Sequence, residues 1–210
     1  CIVTLSWVFF TLFGMLPFYL SGSIDSLTNA FFETMSGFTT TGATILDDIE
    51  SLSHGMLFWR SLTQWIGGLG IVFFTIAVLP VFTSGGVQLF SAESTGVIHD
   101  RTHPKINVMA KWLWTVYLIL TLAETILLML GGMSLFDAVC QSFATTATGG
   151  YSTKQASISY WNSPFIEYVV AIFMLLSGVN FALFLMCLRG KVSRLLRDEE
   201  SVSYTHLTLP

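Results

Sequence analysis

Four long apolar runs divide the chain, separated by stretches rich in Thr, Ser and Gly or in charge. No acid or base falls between Cys1 and Tyr19, and the first charged residue is Asp25. Residues Ser61 to Ala92 are again uncharged, Glu124 is the sole charge between Lys111 and Asp137, and none lies between Glu167 and Arg189. A helix needs ~20 mostly apolar residues to cross hydrocarbon. The pattern therefore predicts four membrane-crossing helices over about 1–20, 57–80, 108–131 and 164–188. The first run has no initiating Met or basic leader ahead of it, so a spanning helix is expected there rather than a signal-peptide core.

Two shorter segments carry helical apolar spacing: Leu27, Ala30, Phe31 and Met35 in 27–37, and Leu135, Ala138, Val139 and Phe143 in 135–145. At ~15 Å each they reach half-way through a bilayer. Each runs into a Thr/Gly stretch, "TTTGAT" or "TATGGYS", before the next apolar run. The two regions are copies. At an offset of 108, "SLTNAFFETMSGFTTTGAT" (26–44) lies over "SLFDAVCQSFATTATGGYS" (134–152) without a gap. Ser26/Ser134, Leu27/Leu135, Ala30/Ala138, Thr40/Thr148 and Gly42/Gly150 are identical, and Glu33/Gln141 is a close substitution. The expected fold is an all-α membrane protein of two helix–pore loop–helix repeats, 1–80 and 108–188, with re-entrant loops at about 27–45 and 135–153. A linker (81–107) joins them, and a basic connector (189–200) follows.

Non-helical backbone at membrane depth is tolerated only where it is buried in protein or lines a watery cavity. A dehydrated cation satisfies such backbone, because carbonyls replace its hydration shell. Gly42 and Gly150 supply the φ freedom that aims successive carbonyls at one axis. The short helices point the negative ends of their dipoles at the same place. This chemistry marks the Thr/Gly stretches as ion-conducting loops rather than ordinary turns.

Composition agrees: 53% of the 210 residues are hydrophobic and 10% charged, with a mean hydropathy of +0.70, against roughly 25% charged in soluble domains. The net charge of −4 matters less than its layout. Arg101, Lys105 and Lys111 flank the middle connection, and Arg189, Lys191, Arg194 and Arg197 follow the last run, which places both in the cytoplasm. Asp25, Glu33, Asp47, Asp48, Glu50, Asp137 and Glu167 lie in the stretches that then face outward, where negative charge gathers cations.

The remaining features have plainer expectations. Cys1, Cys140 and Cys187 fit no disulfide or metal spacing and read as packing residues. Mid-span Glu124 is an ion-attracting candidate by position, but it lies away from the loops, which favours a hydrogen-bonded structural role. Arg60 either pairs with an acid such as Asp47 or Glu50 or anchors its helix at the interface. The glycines of "QWIGGLGI" (64–71) miss the Gly-x-Gly-x-x-Gly spacing at Phe73 and read as close helix contacts. "RGKVSRLLRDEE" (189–200) reads as a cytoplasmic anchor, with docking of a regulatory subunit as the alternative. His54, His99, His103 and His206 form no metal spacing, and no nucleophile, phosphate or nucleic-acid motif appears, so an enzyme is not expected.

With "ETMSGFTTTGAT" (33–44), "WRSLTQWIGGLGI" (59–71), "DRTHPKI" (100–106) and "GMSLFDAVCQSFATTATGGYST" (132–153) in place, the chain resembles the Trk/Ktr/HKT superfamily of potassium transporters, in particular its bacterial TrkH/TrkG membrane subunits. The resemblance covers residues 1 to about 197. It implies a potassium-channel-like fold of four such repeats around one pore, each giving one filter strand, with K⁺ held by backbone carbonyls and no further cofactor. Carried over, the first strand is Thr40, Thr41, Gly42, Ala43 and Thr44, and the second is Thr148, Gly149, Gly150, Tyr151 and Ser152. The resemblance also implies potassium uptake across the bacterial inner membrane, a homodimer, and a cytosolic TrkA-type nucleotide-binding partner. The chain holds what resemble the first and second repeats and is expected to be a piece of a longer protein that conducts little by itself. Residues 201–210, "SVSYTHLTLP", are expected to be non-native tail. Na⁺ permeation or ion coupling is the nearest alternative function, since the first strand ends in Ala43-Thr44. A non-conducting membrane scaffold or sensor is the more distant one.

Overall fold

A computed structural model describes the backbone of residues 2–82 and 106–178, with side chains for 4–70 and 113–178. The expected linker interior, the basic connector, residues 201–210, Cys1 and Cys187 lie outside the described residues. Every regular element among the described residues is helical: α1 (Ile2–Gly14), α2 (Leu16–Leu20), α3 (Leu27–Phe38), α4 (His54–Phe82), α5 (Ile106–Leu130), α6 (Leu135–Thr146), a 3₁₀ turn (Ser157–Trp161) and α7 (Pro164–Gly178).

The expected first span is two helices. Pro17 has no N–H to give the carbonyl four residues back, so the run breaks at Met15. Within α4, Gly70 departs from helical geometry (φ −15°, ψ −135°). Among the described residues one segment, Leu113–Leu130 of α5, is a long enough and apolar enough helix to cross a membrane.

The short helices α3 and α6 start in the same way. Ser26 and Ser134 cap them, their hydroxyls accepting from the N–H of Asn29 (3.5 Å) and of Asp137 (3.1 Å) three residues on. Each then lies against its longer neighbours. Gly14 of α1 brings its backbone up to the Phe38 ring, and the Trp59 indole N–H donates to the Gly14 carbonyl at 3.0 Å. Around α6, Leu128, Met133, Ala138, Ile166, Val169, Val170 and Phe173 form one buried cluster from α5, α6 and α7. Phe18, Ile24 and Ala30 form a smaller one beneath α3.

The glycines of "QWIGGLGI" let α4 approach α3 within its own unit and, through Gly68, the second unit. A side chain at Gly67 would run into the backbone of Phe38, the last residue of α3. One at Gly68 would stand 2.7 Å from the Tyr117 hydroxyl and 2.8 Å from Ala147 Cα. These are the close contacts expected from the sequence, and Trp65 flanks them, stacked on Phe143 of α6 at 5.1 Å between ring centroids. Gly67→Ala is expected to lower the melting temperature in detergent by an amount equivalent to about 1–3 kcal/mol, the usual cost of overpacking. An unchanged melting curve would show that the Phe38 backbone yields freely.

Candidate functional site

Beyond α3 and α6 the chain turns in the same way twice. The Thr40 N–H donates to the Gly37 carbonyl (3.0 Å) and the Thr41 N–H to that of Ser36 (3.0 Å). At the matching places, the Thr148 N–H donates to Thr145 (2.9 Å) and the Gly149 N–H to Ala144 (2.8 Å). Thr40 and Thr148 have φ of 53° and 54°, and Gly42 and Gly150 have φ of 77° and 84°. The intervening residues stay at negative φ, so handedness alternates along both stretches. A left-handed φ is costly for Thr, and its recurrence at both copies marks a backbone held for a purpose.

Alternating handedness gathers N–H groups on one side of a strand and carbonyls on the other. The protein supplies acceptors on the N–H side. Gln64 Oε1 accepts from the Tyr151 N–H at 3.1 Å, and Glu33 Oε2 accepts from the Ile45 N–H at 3.0 Å. Along the second stretch, buried Ala147, Gly149 and Tyr151 alternate with exposed Thr148 and Gly150. Thr41, Ala43 and Thr44 of the first stretch are exposed.

The two stretches meet edge to edge. A Cβ on Gly42 would collide with the Gly149 carbonyl oxygen, whereas no described atom lies within 4 Å of the equivalent point on Gly150. The relation is directional: the first stretch abuts the second through its glycine, and the glycine of the second meets no described atom. The Tyr151 hydroxyl completes the junction, shared between the Glu33 carbonyl (2.9 Å) and the Ala43 carbonyl (3.2 Å).

Arg60 corrects the sequence reading. It does not pair with Asp47 or Glu50; it is 2% exposed and bound to Glu33 of α3, Nε to Oε1 at 2.8 Å. Sequence gives Arg60 a choice of acids, and burial of the helix face it shares with Gln64 decides among them. Nη1 donates to the Ser152 carbonyl at 3.0 Å, and Cζ lies 3.6 Å over the Tyr151 ring. Thr44 Oγ1 also donates to Glu33 Oε1 at 2.9 Å. Exposed Glu50 pairs instead with half-buried Lys154, at 3.4 Å. Sequence reasoning passed over Glu33 and Gln64 as site residues. Gln64 lies four residues after Arg60, one turn along the same helix face, which was the available signal.

Glu124 meets the second stretch only at Thr146, the last residue of α6. It is fully buried between α5 and α6, with Thr146 Oγ1 3.4 Å from its Oε2 and no hydrogen-bond partner at Oε1. Cys140 is buried and free, packed within α6. Among the described residues no group of His, Cys, Asp and Glu could hold a metal ion.

A family model described as TrkH, cation transport protein, matches residues 1–207. The chain belongs to that family. The TrkH potassium uptake protein of Escherichia coli K12 is 46% identical over 192 residues, covering 90% of this chain and 40% of that protein. The TrkG protein of the same strain is 37% identical over 202 residues, covering 95% of this chain and 42% of that one. Among solved structures, the crystal structure of the potassium transporter TrkH from Vibrio parahaemolyticus superposes with a TM-score of 0.79 at 36% identity, over 97% of this chain and 41% of that one. This chain thus spans about two fifths of the length of its TrkH-family relatives. The family places it in a membrane, with the potassium-channel-like helical architecture.

Proposed function

We propose that the chain supplies two of the four strands of a carbonyl-lined filter through which K⁺ enters the bacterial cell. The observation that carries this is the shared backbone of the two turns, left-handed at Thr40, Gly42, Thr148 and Gly150, with protein acceptors on the N–H side. The carbonyls of Thr40, Thr41 and Gly42 and of Thr148, Gly149 and Gly150 are then left for the ion. Ala43 and Tyr151 close each series, the Ala43 carbonyl keeping one lone pair beside the bond from Tyr151. K⁺ runs down its electrochemical gradient, and the relatives named for potassium uptake support that choice of ion. Boundaries of 1–80 and 108–188 give each repeat one re-entrant loop facing outward, with 81–107 and 189–200 cytoplasmic in the inner membrane. A homodimer and a TrkA-type cytosolic ring complete the assembly. Glu124 holds α5 to α6 and takes no part in conduction.

Tracer rubidium uptake tests this, in cells lacking their own potassium uptake and carrying the full reading frame that contains this chain. The variant is Gly150→Ser, whose Cβ meets no described atom within 4 Å but which must hold φ at 84°, at a cost of about 1–2 kcal/mol. Uptake by the parent, with lost uptake or lost preference over Na⁺ in the variant, is expected. Equal uptake by the two, or none by either despite normal insertion, would replace the filter by a scaffold. Equal Rb⁺ and Na⁺ uptake by the parent would make it a Na⁺-permeable member of the family.

A further inference from the structure

We infer that Arg60 is a positioning residue for ion selectivity, a brace that fixes the spacing between the first and second filter strands. The inference rests on the filter reading above. The guanidinium works in three directions at once. Its Nε is held by Glu33 at 2.8 Å on the first short helix, its Nη1 holds the Ser152 carbonyl at 3.0 Å, and its face covers the Tyr151 ring at 3.6 Å. The last two contacts belong to the second strand, so one side chain of the first repeat ties the second repeat's strand to the first repeat's short helix.

A staple for α4 and α3 alone would need only the ion pair. Burying that pair is no reliable source of stability, because desolvation offsets the attraction. The contacts made beyond it therefore carry the argument. Glu33 also accepts from Thr44 and Ile45 at the end of the first strand, so both strands hang on one Arg–Glu pair. One turn further along α4, Gln64 takes the Tyr151 N–H and packs against Gly149. The brace is one-sided. The described part of α7 (Pro164–Gly178) has no Arg or Lys, and Gln141 stands where Glu33 stands in the first repeat, its buried Oε1 without a partner. Selectivity in a carbonyl site depends on the spacing and field of its oxygens. The Gly42–Gly149 approach sets that spacing between these two strands.

The test uses Arg60→Lys in the full reading frame, measuring Rb⁺ and Na⁺ uptake in the same cells. Lysine keeps the charge for Glu33 but lacks the planar fork, so it cannot also hold Ser152 and cover Tyr151 in fixed directions. The ratio of the two fluxes is independent of how much protein reaches the membrane. The Rb⁺-to-Na⁺ ratio is expected to fall about tenfold, the factor that about 1.4 kcal/mol at an ion site produces. Arg60→Gln, which removes the charge as well, is expected to lower it at least as far. Both fluxes falling together at a constant ratio in either variant would make Arg60 a structural staple only and overturn the inference, leaving the filter intact. A parent that takes up neither ion would instead overturn the filter reading, and this inference with it.

Discussion

Gly42→Ala is expected to abolish rubidium uptake, by at least about a hundredfold, while the protein still inserts. The new methyl would occupy the position of the Gly149 carbonyl oxygen. Both are fixed to backbone, so no rotamer change relieves the clash. The strands must separate or the Gly149 carbonyl must turn. At a φ of 77° a Cβ adds backbone strain of about 1–2 kcal/mol. A hundredfold loss corresponds to about 2.7 kcal/mol, which displacement of one coordinating carbonyl readily supplies. Gly150→Ala is the natural comparison, since it bears the backbone strain without meeting a described atom; its loss should be the smaller. Uptake by Gly42→Ala that matches the parent would mean the two stretches are not adjacent filter strands.

The second large effect is on stability. Glu33→Leu should destabilise the protein by about 3–5 kcal/mol, the range seen when one partner of a buried ion pair is removed. Glu33 is 1% exposed and accepts from Arg60, Thr44 and Ile45. Without it, Arg60 keeps a charge in an interior that offers it only the Ser152 carbonyl and the Tyr151 ring. Thermal unfolding in detergent would show the effect. The double variant Glu33→Leu/Arg60→Met should recover part of the loss, because no charge is then left unpaired. A single variant that melts with the parent, or a double variant that melts below it, would contradict this account of the pair.

Much of this was legible in the sequence. The two short helices and the equivalence of Gly42 and Gly150 follow from the 108-residue offset, because local turn chemistry acts within a few residues. The bend at Met15 was missed, although Pro17 signalled it, because the apolar run continues through it. The partner of Arg60 was missed for a different reason. Asp47, Glu50 and Glu33 are all acids upstream of Arg60, and only packing shows which one shares its interior. Left-handed Thr40 and Thr148 could not be read either, since threonine ordinarily avoids that region and the surrounding contacts hold it there.

The bonds that close the junction reach far along the chain: Tyr151 to Glu33 across 118 residues, Ile49 to Gln155 across 106, and Arg60 to Ser152 across 92. A ribosome adding about 5–20 residues per second delivers the second turn some 5–20 s after the first. During that interval the first turn sits among its neighbours with Arg60 and Gln64 already in place and nothing yet for them to hold on the second. The nascent protein therefore carries an unfinished edge, and the pace of synthesis between the two halves governs how long that edge stays open to the wrong partner.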